Sequence, residues 1–301
     1  MKILVTGATG FIGRPVLDLL TRNDHQVLAL VRPPHDVAGI ENSSVRCLRG
    51  DLADLASLKP EIRSFDPEAV IHLAWQGIPD FSPSLCQLNL SQSIALIDLL
   101  IKETRCQKIV MSGSCYEYGR SQGPCEESQL TAPASFFTLA KSSLYQYASL
   151  RCQEKKISCV WMRPFYVYGP GQRKKSLIPT LIDAFSNQTA PGINNPFNAN
   201  DFIYVEDVAE GFCRAAGTDV PSGIYNLGSG HATSVIDICE LVEQQTSGPT
   251  GFTQQIRRAS SAQSSVNFWA DMRKVQKIFG WTPSVPMDEG IRRSISALER
   301  V

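Results

Sequence analysis

The strongest constraint on this chain is a glycine-spaced turn directly after its first apolar run. Met1-Lys2-Ile3-Leu4-Val5 reads as a buried strand, Thr6-Gly7-Ala8-Thr9-Gly10-Phe11-Ile12-Gly13 follows it, and a helical pattern continues to Leu20. Each glycine has its own use. The first permits a tight turn, the second lets backbone approach a pyrophosphate, and the third lets the new helix pack on the strand. The helix start then offers free N–H groups and a positive dipole end to phosphate. A plain strand–turn–helix needs one glycine, not three at this spacing. The chain is therefore expected to hold a dinucleotide.

The first half goes on alternating. Residues 27–31, 45–48, 69–73, 108–111 and 157–162 read as short apolar strands, with helical patterns from about Asp54, over 85–102 and over 135–153. Buried strands alternating with amphipathic helices imply a parallel sheet, and right-handed crossovers make it a doubly wound, Rossmann-type α/β fold. After Pro164 the texture changes. Residues 169–200 are rich in Pro, Gly and Asn, with one helical stretch near 176–187. Strands are expected at 202–205 and 225–227, with a helix starting at Glu206. Residues 247–265 read as a polar loop, and helices as near 271–279 and 287–298. Residues 1–165 are expected to form the dinucleotide-binding domain, with 201–245 returning to it. Residues 166–200 and 246–301 are expected to form most of a smaller C-terminal substrate lobe.

Lys+Arg and Asp+Glu are both 29. Without a basic surplus the chain is not expected to bind nucleic acid. No apolar run is expected to reach the length of a membrane span, and the N-terminal apolar stretch is short for a secretory segment. Nine cysteines, an odd number with no CxxC pair, suggest neither a disulfide framework nor zinc. A cytoplasmic protein without a metal site is expected. The four histidines, His25, His35, His72 and His231, show no ligand spacing, and His72 lies in an apolar run as a core residue would.

The TGxxGxxG spacing resembles the short-chain dehydrogenase/reductase superfamily. Four later segments, in order, resemble its extended branch, which acts on nucleotide-activated sugars. They are Met111-Ser112-Gly113-Ser114-Cys115-Tyr116-Glu117-Tyr118-Gly119, the Arg163-Pro164-Phe165-Tyr166-Val167-Tyr168-Gly169-Pro170-Gly171-Gln172 run, Asp201-Phe202-Ile203-Tyr204-Val205-Glu206-Asp207-Val208-Ala209, and Gly280-Trp281-Thr282-Pro283. The resemblance implies cofactor contacts from Gly7, Thr9, Gly10, Phe11, Ile12 and Gly13, from Asp51-Leu52 and Leu73-Ala74, and from Lys141 and Pro164. The second strand ends Leu28-Ala29-Leu30-Val31-Arg32. A carboxylate there would accept the ribose hydroxyls of NAD; Arg32 instead offers a guanidinium fork to a 2′-phosphate. NADP(H) is therefore expected over NAD(H).

In the superfamily a Ser, a Tyr and a Lys carry the chemistry, with Tyr and Lys four residues apart on one helix face. Ser114 and Lys141 match. Phe137 stands where the Tyr belongs, and a phenyl ring carries no proton. Three readings are open: a Tyr-to-Phe inactivated form, another acid with Tyr116 first in line, or binding without turnover. Tyr145 lies one turn past Lys141, about 6 Å along the axis, and reads as packing. Cys115 reads as a packed thiol. The dehydratases of this branch carry Asp-Glu where Cys115-Tyr116 stand, which argues against 4,6-dehydration. Tyr166 replaces the usual Asn, and Asn200 the Arg that commonly holds a substrate phosphate. Arg173, Lys174 and Lys175 are candidates for that charge. Trp75, Tyr116, Tyr166 and Arg173 are the expected substrate contacts.

The expected activity is NADP-dependent reduction of a 4-keto-6-deoxy nucleotide sugar. The alternatives are a nucleotide-sugar 4-epimerase with bound NAD and a non-catalytic cofactor- and sugar-nucleotide-binding protein. The resemblance also implies a homodimer, through the helices over 85–102 and 135–153. Leu88, Ile94, Leu99 and Leu144 there suit intramolecular packing as well.

Overall fold

Runs such as Ile3-Leu4-Val5 and Val70-Ile71 have no polar face to offer solvent, so they end up covered on both sides. In a computed structural model, which describes residues 1–34, 37, 39–217, 219–246, 250–259 and 267–299, they form the middle layer. The chain runs β1 (Lys2–Thr6), α1 (Gly13–Arg22), β2 (Gln26–Val31), β3 (Val45–Arg49), α2 (Leu55–Phe65), β4 (Ala69–His72), α3 (Pro83–Glu103) and β5 (Lys108–Ser112). It continues with β6 (Gly123–Cys125), α4 (Phe136–Lys155), β7 (Ser158–Pro164), β8 (Tyr166–Tyr168), α5 (Leu177–Ser186), β9 (Ala199–Asn200) and β10 (Phe202–Tyr204). It closes with α6 (Val205–Gly217), β11 (Gly223–Leu227), β12 (Thr233–Ser234), α7 (Val235–Thr246), α8 (Phe252–Ala259), β13 (Asn267–Ala270), α9 (Arg273–Phe279) and α10 (Met287–Leu298).

The central sheet has the order β11-β7-β5-β4-β1-β2-β3, and every pairing is parallel. From β1 the chain adds strands to one side, then returns to β4 and adds to the other. The reversal point between β1 and β4 is where a doubly wound sheet opens a crevice. One face is covered through Val16, Leu20, Val208, Phe212 and Val275 of α1, α6 and α9. The other is covered through Leu58, Ile62, Leu96, Leu100 and Leu144 of α2, α3 and α4.

The lobe has its own core. Tyr168, Leu181, Phe185, Tyr204, Ile238, Val242 and Ile291 pack together. β8 pairs with β10, and a small sheet has the order β12-β9-β13-β6. Two carboxylates join the lobe to the layers. Asp201 accepts hydrogen bonds from Ser229 N and Oγ, Gly230 N and Ala270 N at 2.6 to 3.0 Å. Asp207 accepts from Ser284 N and Oγ and from Val285 N at 2.9 to 3.1 Å.

Several expectations need correction. α7 packs on α5 and α10, so the return to the main layers ends with β11 rather than at 245. α9 lies within 246–301 yet packs on the sheet through Val275 and Phe279. The stretch read as polar loop contains α8, because Phe252 and Ile256, four apart, pack on the lobe core; residues 247–249 and 260–266 lie outside the described residues, as does His35. α3 is 21 residues long and apolar enough to pass for a membrane span by length and composition, although half of it is buried in the protein. Of the four residues weighed for a dimer seam, Leu99 and Leu144 are buried in the core, Ile94 is partly buried and Leu88 is exposed. All nine cysteines are free, and no metal-ligand cluster occurs among the described residues.

The turn after β1 shows why its glycines are needed. Gly7 has φ +70°, and a Cβ there would lie 2.8 Å from Ala74 N. A Cβ on Gly13 would lie 2.1 Å from the Gly7 carbonyl oxygen. The clash is with backbone, which yields less than a side-chain tip does. Gly13→Ala is expected to destabilise the protein by about 1–3 kcal/mol and to weaken dinucleotide binding, read by thermal unfolding and by fluorescence titration with NADPH.

Candidate active site

The carboxyl ends of β1, β4, β5 and β7 open onto one cleft with two chambers. The first, about 230 Å³, is lined by Gly7, Thr9 and Gly10 from the turn, Leu30 and Arg32 at the end of β2, Gly50, Asp51 and Leu52 after β3, and Leu73 and Ala74 after β4. The second, about 440 Å³, is lined by Ile12, Ser114, Cys115, Tyr116, Phe137, Lys141, Pro164, Tyr166 and Arg173 among others. Leu73 and Trp75 line both. Phe11 and Gly13 lie outside both linings. Gly13 is buried behind the turn, and Phe11 lies toward the Gly171 loop. Arg173 faces the second chamber, whereas Lys174 lines a groove between α5 and α10.

The residues of the first chamber fit a dinucleotide. The turn presents backbone without side chains, and two buried donors there, Trp75 Nε1 and Gln92 Nε2, have no protein partner. Acceptor-rich ribose or phosphate would satisfy them. Arg32 Nε stands 3.9 Å from the Asp51 carboxylate, and both side chains are well exposed. Such a pair is weak and leaves the guanidinium free to meet an anion at the chamber rim.

His72 is the core residue its apolar run implied. Its Nδ1 lies 2.6 Å from Thr6 Oγ1 and its Nε2 2.9 Å from Ser93 Oγ, tying β4 to β1 and α3. Burial, then the Lys141 charge, pushes its pKa down to about 3, so it stays neutral.

Ser114 caps the short 3-10 turn Cys115–Tyr118, and its Oγ accepts from Tyr116 N at 3.2 Å. Lys141 is buried on α4 and donates from Nζ to the Ser112 carbonyl at 2.7 Å. Its Nζ lies 3.9 Å from the Trp75 ring centroid and 5.8 Å from that of Phe137. Burial pushes the ammonium down to about 7, with the Glu117 charge opposing. Phe137 is only 5% exposed. Its ring stacks on Phe81 at 4.5 Å and meets the Trp75 edge at 5.5 Å. Position 137 is thus part of an apolar seal with Cys86 and Ala140.

The phenols stand elsewhere. Tyr116 is 43% exposed, and its ring meets Tyr166 edge-on at 5.8 Å. Burial on the cavity side pushes its pKa up, while the Tyr166 hydroxyl and the Arg173 charge pull it back. Tyr145 packs on Trp161 at 5.5 Å and lines a separate cavity with Ile224 and Lys274. Cys115 is buried, and desolvation pushes its thiol far up, which removes it as a nucleophile.

Sequence reasoning passed over one wall of the first chamber. Gln76, Asn89, Gln92 and Ser93 line it. Asn89 accepts from Gln76 N at 2.7 Å and donates to Gln76 O at 3.1 Å, and Gln76 Nε2 donates to Gln92 Oε1 at 3.0 Å. The signal was present: residues 89, 92 and 93 put polar side chains at i, i+3 and i+4 in a mostly apolar helix.

Comparison with known proteins agrees with this geometry. UDP-glucose 4-epimerase of Mycolicibacterium smegmatis is 25% identical over 310 residues, covering 98% of this chain and 97% of that protein. dTDP-4-dehydro-6-deoxyglucose reductase of Escherichia coli is 23% identical, again over 98% and 97%. The structure of MoeE5 in complex with UDP-glucose and NAD is similar at a TM-score of 0.80 and 26% identity, over 100% of this chain and 99% of that one. Residues 3–228 match the model of the NAD dependent epimerase/dehydratase family. That match, over most of the chain and including the glycine turn, the capping Ser114 and the buried Lys141, shows that this protein belongs to that family of enzymes.

Proposed function

We propose that this protein reduces a 4-keto-6-deoxy nucleotide sugar with NADPH, using Tyr116 as the proton donor. The observation that carries this reading is where the phenols stand. Residue 137 is a sealed phenyl ring, while Tyr116 stands beside Ser114 in the wall of the second chamber. The nicotinamide, when bound, supplies the hydride. Ser114 Oγ donates to the ketone oxygen. Tyr116 gives that oxygen its proton as charge develops. Lys141 holds the nicotinamide ribose, and Trp75, Phe81 and Phe137 keep water from the lysine. Arg173 meets the diphosphate. Arg32 at the rim of the first chamber supports NADP(H), and the reductase of Escherichia coli among the relatives supports net reduction.

A second reading, 4-epimerisation with tightly held NAD, is favoured by the epimerase of Mycolicibacterium smegmatis and by the NAD complex of MoeE5. The two separate in one experiment. A reductase consumes NADPH stoichiometrically with a 4-keto sugar nucleotide. An epimerase copurifies with NAD and interconverts UDP-sugars without net consumption. NADPH binding with neither activity marks a protein that only binds. We further propose a homodimer, which exposed Leu88 of α3 and Phe136, Leu139 and Leu150 of α4 support, and a cytoplasmic location, which nine free cysteines support.

Tyr116→Phe is expected to lower kcat by about 10²-fold or more while leaving NADPH affinity unchanged. Unchanged turnover would remove Tyr116 from the mechanism. Arg32→Ala is expected to weaken NADPH about tenfold, roughly 1.4 kcal/mol, and NADH hardly at all. Equal losses for the two cofactors in a fluorescence titration would remove the 2′-phosphate contact.

A further inference from the structure

The turn that carries Ser114 and Tyr116 rests on one carboxylate. Glu117 is 0% exposed. Its Oε1 accepts from Ser114 N at 2.8 Å, both its oxygens face Trp161 Nε1 at 3.0 and 3.1 Å, and its Oε2 accepts from Arg163 Nε at 3.0 Å. Glu117 N donates back to Ser114 O at 3.1 Å. The backbone passes close above this group, because a Cβ on Gly113 would lie 2.2 Å from Trp161 Nε1 and 2.5 Å from Glu117 Oε1. Arg163, 1% exposed, closes the arrangement from β7, with its guanidinium 4.5 Å from the Tyr118 ring centroid. The carboxylate therefore couples the turn after β5, which carries Ser114 and Tyr116, to β7, which ends at Pro164 just before Tyr166.

Glu117 also acts on the lysine. Lys141 Nζ is held on Ser112 O, two residues before Ser114. Its other close neighbours are the Trp75 and Phe137 rings. The charged group that acts on it is Glu117 from the turn; His72 of β4, held neutral by burial and by the Lys141 charge, adds none. A buried carboxylate that met only Arg163 would be an ordinary core ion pair. This one also holds the Ser114 amide and opposes the desolvation of Lys141.

We propose that Glu117 is the positioning residue of this site, setting the Ser114–Tyr116 turn from below and acting as the counter-charge to Lys141. The proposal rests on the functional reading only in taking those three residues as the working ones. Glu117 touches neither cofactor nor substrate. It acts through backbone geometry and through its charge.

The test is NADPH affinity against pH, followed by turnover. Lys141 loses its proton as pH rises through about 7, so binding to the wild-type protein should weaken across that range. Glu117→Gln keeps the shape and removes the charge, and the midpoint of that loss should move down by about one pH unit. kcat on a 4-keto sugar nucleotide should fall at least about tenfold. Glu117→Asp restores the charge one methylene short, so it should return the midpoint but not the full kcat. Because Glu117→Gln leaves Arg163 buried and unpaired, the double variant Glu117→Gln, Arg163→Met serves as a second test. Removing both charges of a buried pair is tolerated far better than removing one, and its midpoint should shift in the same direction. An unchanged midpoint in folded variants overturns the proposal. So does loss of the fold in both, which would make Glu117 a core ion pair and nothing more. Should the wild-type protein turn over no keto sugar at all, the functional reading fails, while the binding midpoint still decides the role of Glu117.

Discussion

The architecture depends on one close backbone approach, that of Gly7 to the Leu73–Ala74 link after β4. No side chain fits between them, so β1 and β4 end side by side with bare backbone facing the crevice. The contact is reinforced in the next layer by Thr6, whose Oγ1 lies 2.6 Å from His72 Nδ1 and accepts from Ala74 N at 3.3 Å. Everything that shapes the first chamber hangs from this pair of strands. Arg32 and Asp51 reach it from the β2 and β3 side, and the polar stripe of α3 reaches it from the β4 side. A bulkier turn would separate the two halves of the sheet and with them the walls of the site.

The phenyl ring at 137 sets the surroundings of the lysine. In the arrangement that the motif implies, the ammonium lowers the pKa of a neighbouring tyrosine. Here its neighbours are an indole face and a phenyl ring, which attract a cation weakly and exclude water. Desolvation then pushes the pKa of the ammonium down to about 7. Proton-bearing oxygen has not left the chamber. It stands in the Tyr116–Tyr166 pair of the lining, where Arg173 supplies positive charge. The proposed roles of binding the ribose and delivering the proton thereby fall to different elements, α4 and the turn after β5.

What was legible in the sequence, and what was not, divides by the range of the interaction. The central sheet was readable because its strands are continuous apolar runs and its first turn is a local device. The Ser114, Phe137 and Lys141 positions were readable because they sit at fixed offsets within short segments. α8 was not, since two apolar residues in a polar stretch carry too little period. The strands β6, β9, β12 and β13 were not, because they are two to four residues long and pair across large separations. The part of the polar wall made by Asn89, Gln92 and Ser93 lay hidden in a helix whose apolar content read as core. Glu117 was visible only as one letter of a motif, because its three donors come from residues 114, 161 and 163.

Glu117, Asp201 and Asp207 show why polar joints suit this fold. Each is a nearly inaccessible carboxylate with three or more hydrogen-bond donor contacts, and each joins segments far apart in the chain. Burying such a group is unfavourable unless every donor is in place. An apolar joint tolerates sliding by a fraction of an ångström, because its energy depends on area. A carboxylate receiving backbone N–H groups does not, because its energy depends on direction and distance. Asp201 sets where the 229–230 and 270 segments meet β10, Asp207 sets where the C-terminal segment leaves α6, and Glu117 sets the turn at the mouth of the second chamber. The cleft between sheet and lobe is therefore defined by directional contacts at its corners, while the apolar cores on either side supply most of the stability.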